Sequence, residues 1–160
     1  MKRKGLFFCL IGGLLGVLGC TAKRMPEGDL VSLEFSRHGM MARAEYLGSV
    51  ERDSTGAYVL TAMQEPYGPL YRKQLDATEM QQFRQIIESE KMHKYRETYR
   101  PVLRVLDGWQ WSFKAKFSDG SVIYSHGSNA SPRGEGLARI RNLMAELAKE
   151  GVQIEESETP

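Results

Sequence analysis

The chain predicts an α+β domain, a mainly antiparallel sheet of about five to six strands with two helices packed on one of its faces. Three observations carry that prediction. Residues 30–36 and 109–117 alternate apolar and polar side chains at period two, the pattern of half-buried strands. An Asp119-Gly120 pair separates the second of these from a returning strand, as a tight hairpin requires. Two further segments, opening near Asp76 and near Ser131, repeat apolar residues at helical spacing instead.

In the first strand Val31, Leu33 and Phe35 are expected to face inward, with Ser32, Glu34 and Ser36 on the other side. A second strand is read over residues 44–51. The Asp53-Ser54-Thr55-Gly56 cluster supplies turn chemistry, and residues 57–63 return as a third strand. Pro66, Gly68 and Pro69 interrupt the pattern before a short fourth strand over 70–75. Asp76 opens the first helix. Its carboxylate can accept a backbone amide while Glu79, three residues on, reaches back to the cap. Met80, Phe83, Ile86 and Ile87 then form one apolar face.

Residues 88–100 interleave bases and aromatics: Lys91, His93, Lys94, Tyr95, Arg96, Tyr99 and Arg100. Such a stretch suits polyanions or sugars. It suits a solvated helix end and loop as well, and a near-neutral charge balance favours that reading. Further on, Trp109, Trp111, Phe113, Ala115 and Phe117 alternate with Gln110, Ser112, Lys114 and Lys116, and residues 121–125 form the returning strand. The second helix is predicted from Ser131-Pro132, with serine as cap and proline where no amide donor is needed. Leu137, Ile140, Leu143, Met144 and Leu147 are its expected buried stripe, and Gly151 its stop.

The N-terminus reads as an address. Lys2, Arg3 and Lys4 precede an almost continuous apolar run over residues 6–18, and Val17-Leu18-Gly19-Cys20 sets a small residue directly before a cysteine. These parts resemble the lipobox signal peptide of bacterial lipoproteins. The resemblance implies cleavage before Cys20, a diacylglycerol thioether on its sulfur and further acylation, by a chain such as palmitate, on the new amine. It also implies a lipid-anchored location in the cell envelope, with the bilayer as partner through Cys20. Thr21, which is not acidic, favours the outer membrane over the inner. Two alternatives stay open. The run could be a membrane helix, though it is shorter than the ~18–20 residues that cross hydrocarbon, or a signal peptidase could cut after Ala22.

The chain then divides into a signal peptide (1–19), a lipidated tether (20–29), the α+β domain (30–151) and an acidic tail expected to be disordered (152–160). Asp107-Gly108-Trp109 and Asp119-Gly120 are similar to a style of small bacterial envelope lipoproteins, a likeness that carries no activity with it.

Processing changes the charge argument. The whole chain is +2, but losing Lys2, Arg3 and Lys4 leaves 19 basic side chains against 20 acidic ones. The basic balance therefore belongs to the leader and is no argument for nucleic acid. Cys9 leaves with the leader and Cys20 is consumed by lipid, so no thiol remains for a disulfide, a nucleophile or a zinc ligand. The chain shows no internal repeat, dinucleotide fingerprint or phosphate-binding Walker loop, and no cofactor is expected.

One motif points to catalysis. Arg37-His38-Gly39 follows a predicted strand, and Ser125-His126-Gly127 follows another. This is similar to the histidine phosphatase superfamily, whose first motif is Arg-His-Gly after its first strand and whose second histidine also ends a strand. The resemblance implies His38 as phosphate acceptor, Arg37 as phosphate clamp and His126 as a second donor to the phosphoryl oxygens. The family continues its motif with an acidic or amide residue and then Ser or Thr, where Met40 and Met41 stand here. Its strands are mostly parallel and alternate with helices, unlike the hairpin read above. The competing reading makes both histidines parts of strand-end turns.

Other chemistry finds less support. Ser125 and His126 are strand neighbours facing opposite sides, so they do not form a dyad. A Gly-x-Ser-x-Gly turn is absent. His38, His93 and His126 lack zinc-ligand spacing, and no run of carboxylates suits calcium. Asn129-Ala130-Ser131 matches a glycosylation sequon, incidental in a bacterial lipoprotein. Trp109 and Trp111 read as core under the helices, with Trp109, nearest the strand end, the candidate for an exposed binding platform. The loop over 127–133 is the other candidate. There His126, Ser128, Asn129 and Arg133 would meet a helix N-terminus able to hold an anion, against ordinary cap chemistry. The expectation is a binding or scaffolding lipoprotein with an envelope protein or glycan partner, and the alternative is a phosphohydrolase using His38 and His126.

Overall fold

The computed structural model describes residues 23–39, 44–103 and 108–154. Alternating segments build the middle of the sheet. β1 (Leu30–His38) lies between β2 (Ala44–Arg52) and β6 (Gln110–Phe117), antiparallel to both. β3 (Tyr58–Met63) and β4 (Leu70–Leu75) extend it on one side. β7 (Val122–Ser128) extends it on the other through the Asp119-Gly120 hairpin, where Gly120 takes the left-handed φ of 82° that the turn requires.

Two-residue strands finish the edges. β5 (Thr98–Tyr99) runs parallel to β7, and β8 (Val152–Gln153) antiparallel to β4, giving the order β5-β7-β6-β1-β2-β3-β4-β8. The sheet is thus mixed but mostly antiparallel, with eight strands where the alternation predicts about five to six. The added pair are too short to show periodicity. They form because an edge strand offers a row of unpaired amides and carbonyls. β8 also corrects the reading of the tail: residues 152–153 belong to the sheet, and the Ile154 amide donates to the Leu70 carbonyl at 3.0 Å. The leader, Cys20, Thr21, Met40, Met41, Asp107 and residues 155–160 lie outside the described residues.

Register fixes which side chains share a face. Leu33 stands beside Val50 and Ala115, and Val50 beside Leu60; Phe35 stands beside Gly48 and Phe113, and Gly48 beside Ala62. All but the glycine are core side chains on one face. Val31 does not join them. A bulge between Leu30 and Ser32 makes it the extra residue, and Leu30 takes the inward place opposite Phe117.

α1 (Ala77–Ser89) and α2 (Gly136–Ala148) cover this inner face and touch each other. α1 buries Met80, Phe83, Ile86 and Ile87, each contributing about 1.5–3 kcal/mol when fully buried. α2 buries Ile140, Met144, Leu147 and Ala148, while Leu137 and Leu143 are only half-buried. Gly48 leaves room for α2, since a β-carbon there would stand 2.5 Å from the Met144 sulfur. The expected capping box is present: Asp76 accepts the Glu79 amide and Glu79 accepts the Asp76 amide, both at 2.8 Å.

α2 starts at Gly136, not at Ser131-Pro132. The reason lies in the sheet. The Trp111 indole N–H donates to the Ala130 carbonyl at 2.8 Å, and Asn129 adopts a left-handed φ of 51°, so the loop is pinned to the inner face before a helix can begin. The segment expected to be a free tether is likewise tied down from Lys23 onward. Asp119 accepts the Glu27 and Gly28 amides at 3.0 Å, Ser118 accepts the Asp29 amide at 2.9 Å, and Arg84 donates to the carbonyls of Pro26 and Gly28.

Candidate functional site

The helices leave the opposite face of β1, β6 and β7 uncovered. Polar members of each alternation meet there. Ser36 stands beside Ser112 and Ser112 beside His126; His38 stands beside Gln110 and Gln110 beside Ser128. A groove of about 630 Å³ runs over these residues, lined also by Tyr124 and by Tyr99, Arg100, Pro101 and Leu103. The two serine hydroxyls share a hydrogen bond of 2.9 Å, fixing the groove's floor.

His126 is the best-built residue of the groove. Its Nε2 lies 3.4 Å from the Thr98 hydroxyl and its ring packs 5.4 Å from that of Tyr124. Its Nδ1 is buried and has no hydrogen-bond partner within the protein. His38 lines the same groove two strands away. With strands about 4.8 Å apart and a two-residue offset, the two histidine backbones stand about 12 Å apart.

Arg37 is not with them. It lies on the inner side, Nε 2.9 Å from a Glu45 carboxylate oxygen and the guanidinium 4.9 Å from the Trp109 ring centre. That pair exists because a bulge in β2 makes Glu45 the extra residue opposite the Arg37–His38 step. Arg37, Trp109, Trp111, Pro132, Leu137 and Arg141 line a second cavity of about 170 Å³ beneath the loop preceding α2. Trp109 is partly buried there, its amide donating to the Asn129 side chain at 3.0 Å, so it forms no outer platform.

The loop residues separate. Ser128 and Asn129 reach the groove, but Arg133 is exposed outside its lining. The helix N-terminus offered as an anion site holds a carboxylate of the protein: Glu90, at the end of α1, lies 3.4 Å from the Glu135 amide and 2.7 Å from Arg139. Ser125 and His126 do face opposite ways. The Ser125 hydroxyl is buried and donates to the Arg96 carbonyl at 2.6 Å.

Ser36, Gln110, Ser112 and Tyr124 were not singled out as site residues by the sequence; their signal is the polar half of the same alternation that reveals the core. Arg100 comes from the basic-aromatic stretch after α1. Among the described residues no helix is long and apolar enough to cross a membrane, and no three His, Cys, Asp or Glu side chains gather as a metal site. No protein-family model matches the chain, and no curated protein matches it.

Proposed function

We propose that this protein is an envelope lipoprotein, held to the bilayer through acylated Cys20, whose domain binds an extended glycan along the open face of the sheet. The observation that carries the binding reading is the groove over His38 and His126. Neutral hydroxyls and amides from Ser36, Gln110, Ser112 and Ser128 line it beside the Tyr124 ring. This combination suits sugars, since their hydroxyls pair with both donors and acceptors and their apolar face stacks on an aromatic ring.

Calorimetric titration of the full chain with soluble cell-wall glycan fragments tests the binding. Saturable heat that falls about tenfold or more in affinity on Tyr124→Ala or His126→Ala supports it. No heat with glycans, together with cross-linking of a groove residue to an envelope protein, replaces the glycan by a protein partner. The anchor is tested separately by incorporation of labelled palmitate, which Cys20→Ser should abolish.

A second reading draws on the same groove, because both histidines line it. His38 would attack a phosphomonoester phosphorus as the P–O ester bond breaks, the leaving oxygen taking a proton from water, and a second water would then displace the imidazole and release phosphate. Arg100 would be the groove's cation, in place of Arg37. Turnover of a phosphomonoester abolished by His38→Ala supports this reading, and turnover unaffected by that change ends it.

A further inference from the structure

Cys20 and Lys23 are three residues apart, a span of at most about 10 Å when extended. From Lys23 onward the chain is fastened to the domain. The Lys23 ammonium donates to the Tyr95 carbonyl at 3.0 Å, and the amides of Glu27 and Gly28 are held by Asp119. An acyl group on Cys20 therefore keeps this side of the domain within about a Debye length of the headgroups.

The surface around that point is cationic. The basic-aromatic stretch after α1 splits by burial, with Met92, Tyr95 and Tyr99 inside and Lys91, Lys94, Arg96 and Arg100 exposed. Lys23 and Arg24 join them through the contact at Tyr95. Within residues 23–24 and 91–100 the acid is Glu97 alone, with Glu27, Glu88 and Glu90 flanking and Glu90 paired with Arg139. A groove of about 560 Å³ is lined by Lys23, Arg24, His93 and Glu97 together with Val122 and Tyr124, two of the larger exposed apolar side chains.

We infer that the β5 edge of the domain is seated on the bilayer, its cations against anionic phospholipid headgroups and Val122 at the interface. The inference rests on the acylation of Cys20. The sheet then stands on edge. β4 lies five strand spacings beyond β7, about 24 Å farther from the membrane. The sugar groove lies beside the membrane and opens along it.

Acylation leaves the mature chain without a free thiol, so one introduced cysteine carries a unique dye. The full chain is purified with its own anchor as Val122→Cys and, separately, as Gln74→Cys on β4. Each is placed in vesicles of phosphatidylethanolamine with a minority of phosphatidylglycerol and a headgroup-labelled energy acceptor. The expected result is strong transfer from position 122 and weak transfer from position 74. Raised salt, omission of phosphatidylglycerol, or Lys91→Gln with Lys94→Gln should reduce the difference, each lost cation lowering the docked ratio about fivefold. Equal transfer from both positions in chains that float with the vesicles overturns the docking and leaves the anchor standing. Chains whose Cys20 takes the dye and which do not float overturn the anchor, and the docking with it.

Discussion

Arg37 and His38 are neighbours in sequence and lie on opposite faces of the sheet. The guanidinium meets Glu45 and Trp109 on the helix side, and the imidazole lines the outer groove. The pleat of β1 makes the two residues independent in function. Arg37→Ala should cost about 1 kcal/mol of stability, from a part-exposed ion pair and a ring contact, and leave ligand affinity in the groove unchanged. His38→Ala should do the reverse, weakening ligand binding with a stability change within about 0.5 kcal/mol. Urea denaturation and ligand titration of both variants check this, and coupled losses in either would place the two side chains in one site.

Trp111 and Gly127 pack as a pair on neighbouring strands. A β-carbon at Gly127 would meet the Trp111 indole nitrogen and the Ala130 carbonyl oxygen, each at 2.4 Å. Gly127→Ala should therefore cost about 1–3 kcal/mol through overpacking against rigid groups. Gly48→Ala, whose nearest neighbour is the flexible Met144 side chain, should cost less. Trp111→Phe should cost about 1–2 kcal/mol by leaving the Ala130 carbonyl without its donor. Thermal or chemical denaturation ranks the three.

Asp119 ties the segment over residues 23–29 to the β6–β7 turn. Backbone hydrogen bonds from Gly28 and Ser121 lead in holding its carboxyl at about 2, against an ordinary value of 3.8. A depressed folded value means the tie is fully present above pH 3.8 and is lost as pH falls through about 2. Exchange protection of the Glu27 and Gly28 amides should hold from neutral pH to about 4 and decline progressively from there to about 2. Asp119→Ala should lower that protection about five- to tenfold at neutral pH while α1 and α2 keep theirs.

Ser125 is a buried polar residue in the core, and its hydroxyl anchors the stretch after α1 at the Arg96 carbonyl. Ser125→Ala should cost about 1–2 kcal/mol and speed exchange along β5, without changing ligand affinity. A loss of phosphomonoester turnover in this variant with stability intact would contradict the placement.

The long alternations and the helical stripes were legible because burial on one face writes a period into the chain. Phe113 and Ile87 were recognisable as core for that reason, and Asp76 with Glu79 as a cap because both partners lie within one turn. The start of α2 was misread at Ser131 because its local cap signal is overridden by a tertiary bond, that of Trp111 to Ala130. The site was legible only in part. His38, His126, Ser128 and Asn129 do line the groove, whereas Arg37 and Trp109, in phase with Phe35 and Trp111, take the inner side.

The sequence by itself determined the class of fold, the six longer strands, both helices and the faces they bury, because these depend on spacings within a few residues. Only the tertiary structure decided the strand order, the edge strands β5 and β8, the bulges at Val31 and Glu45, and the fastening of residues 23–29. Those features arise where distant segments satisfy one another's amides and carbonyls. No residue carries in its own neighbourhood the name of the partner that will do so.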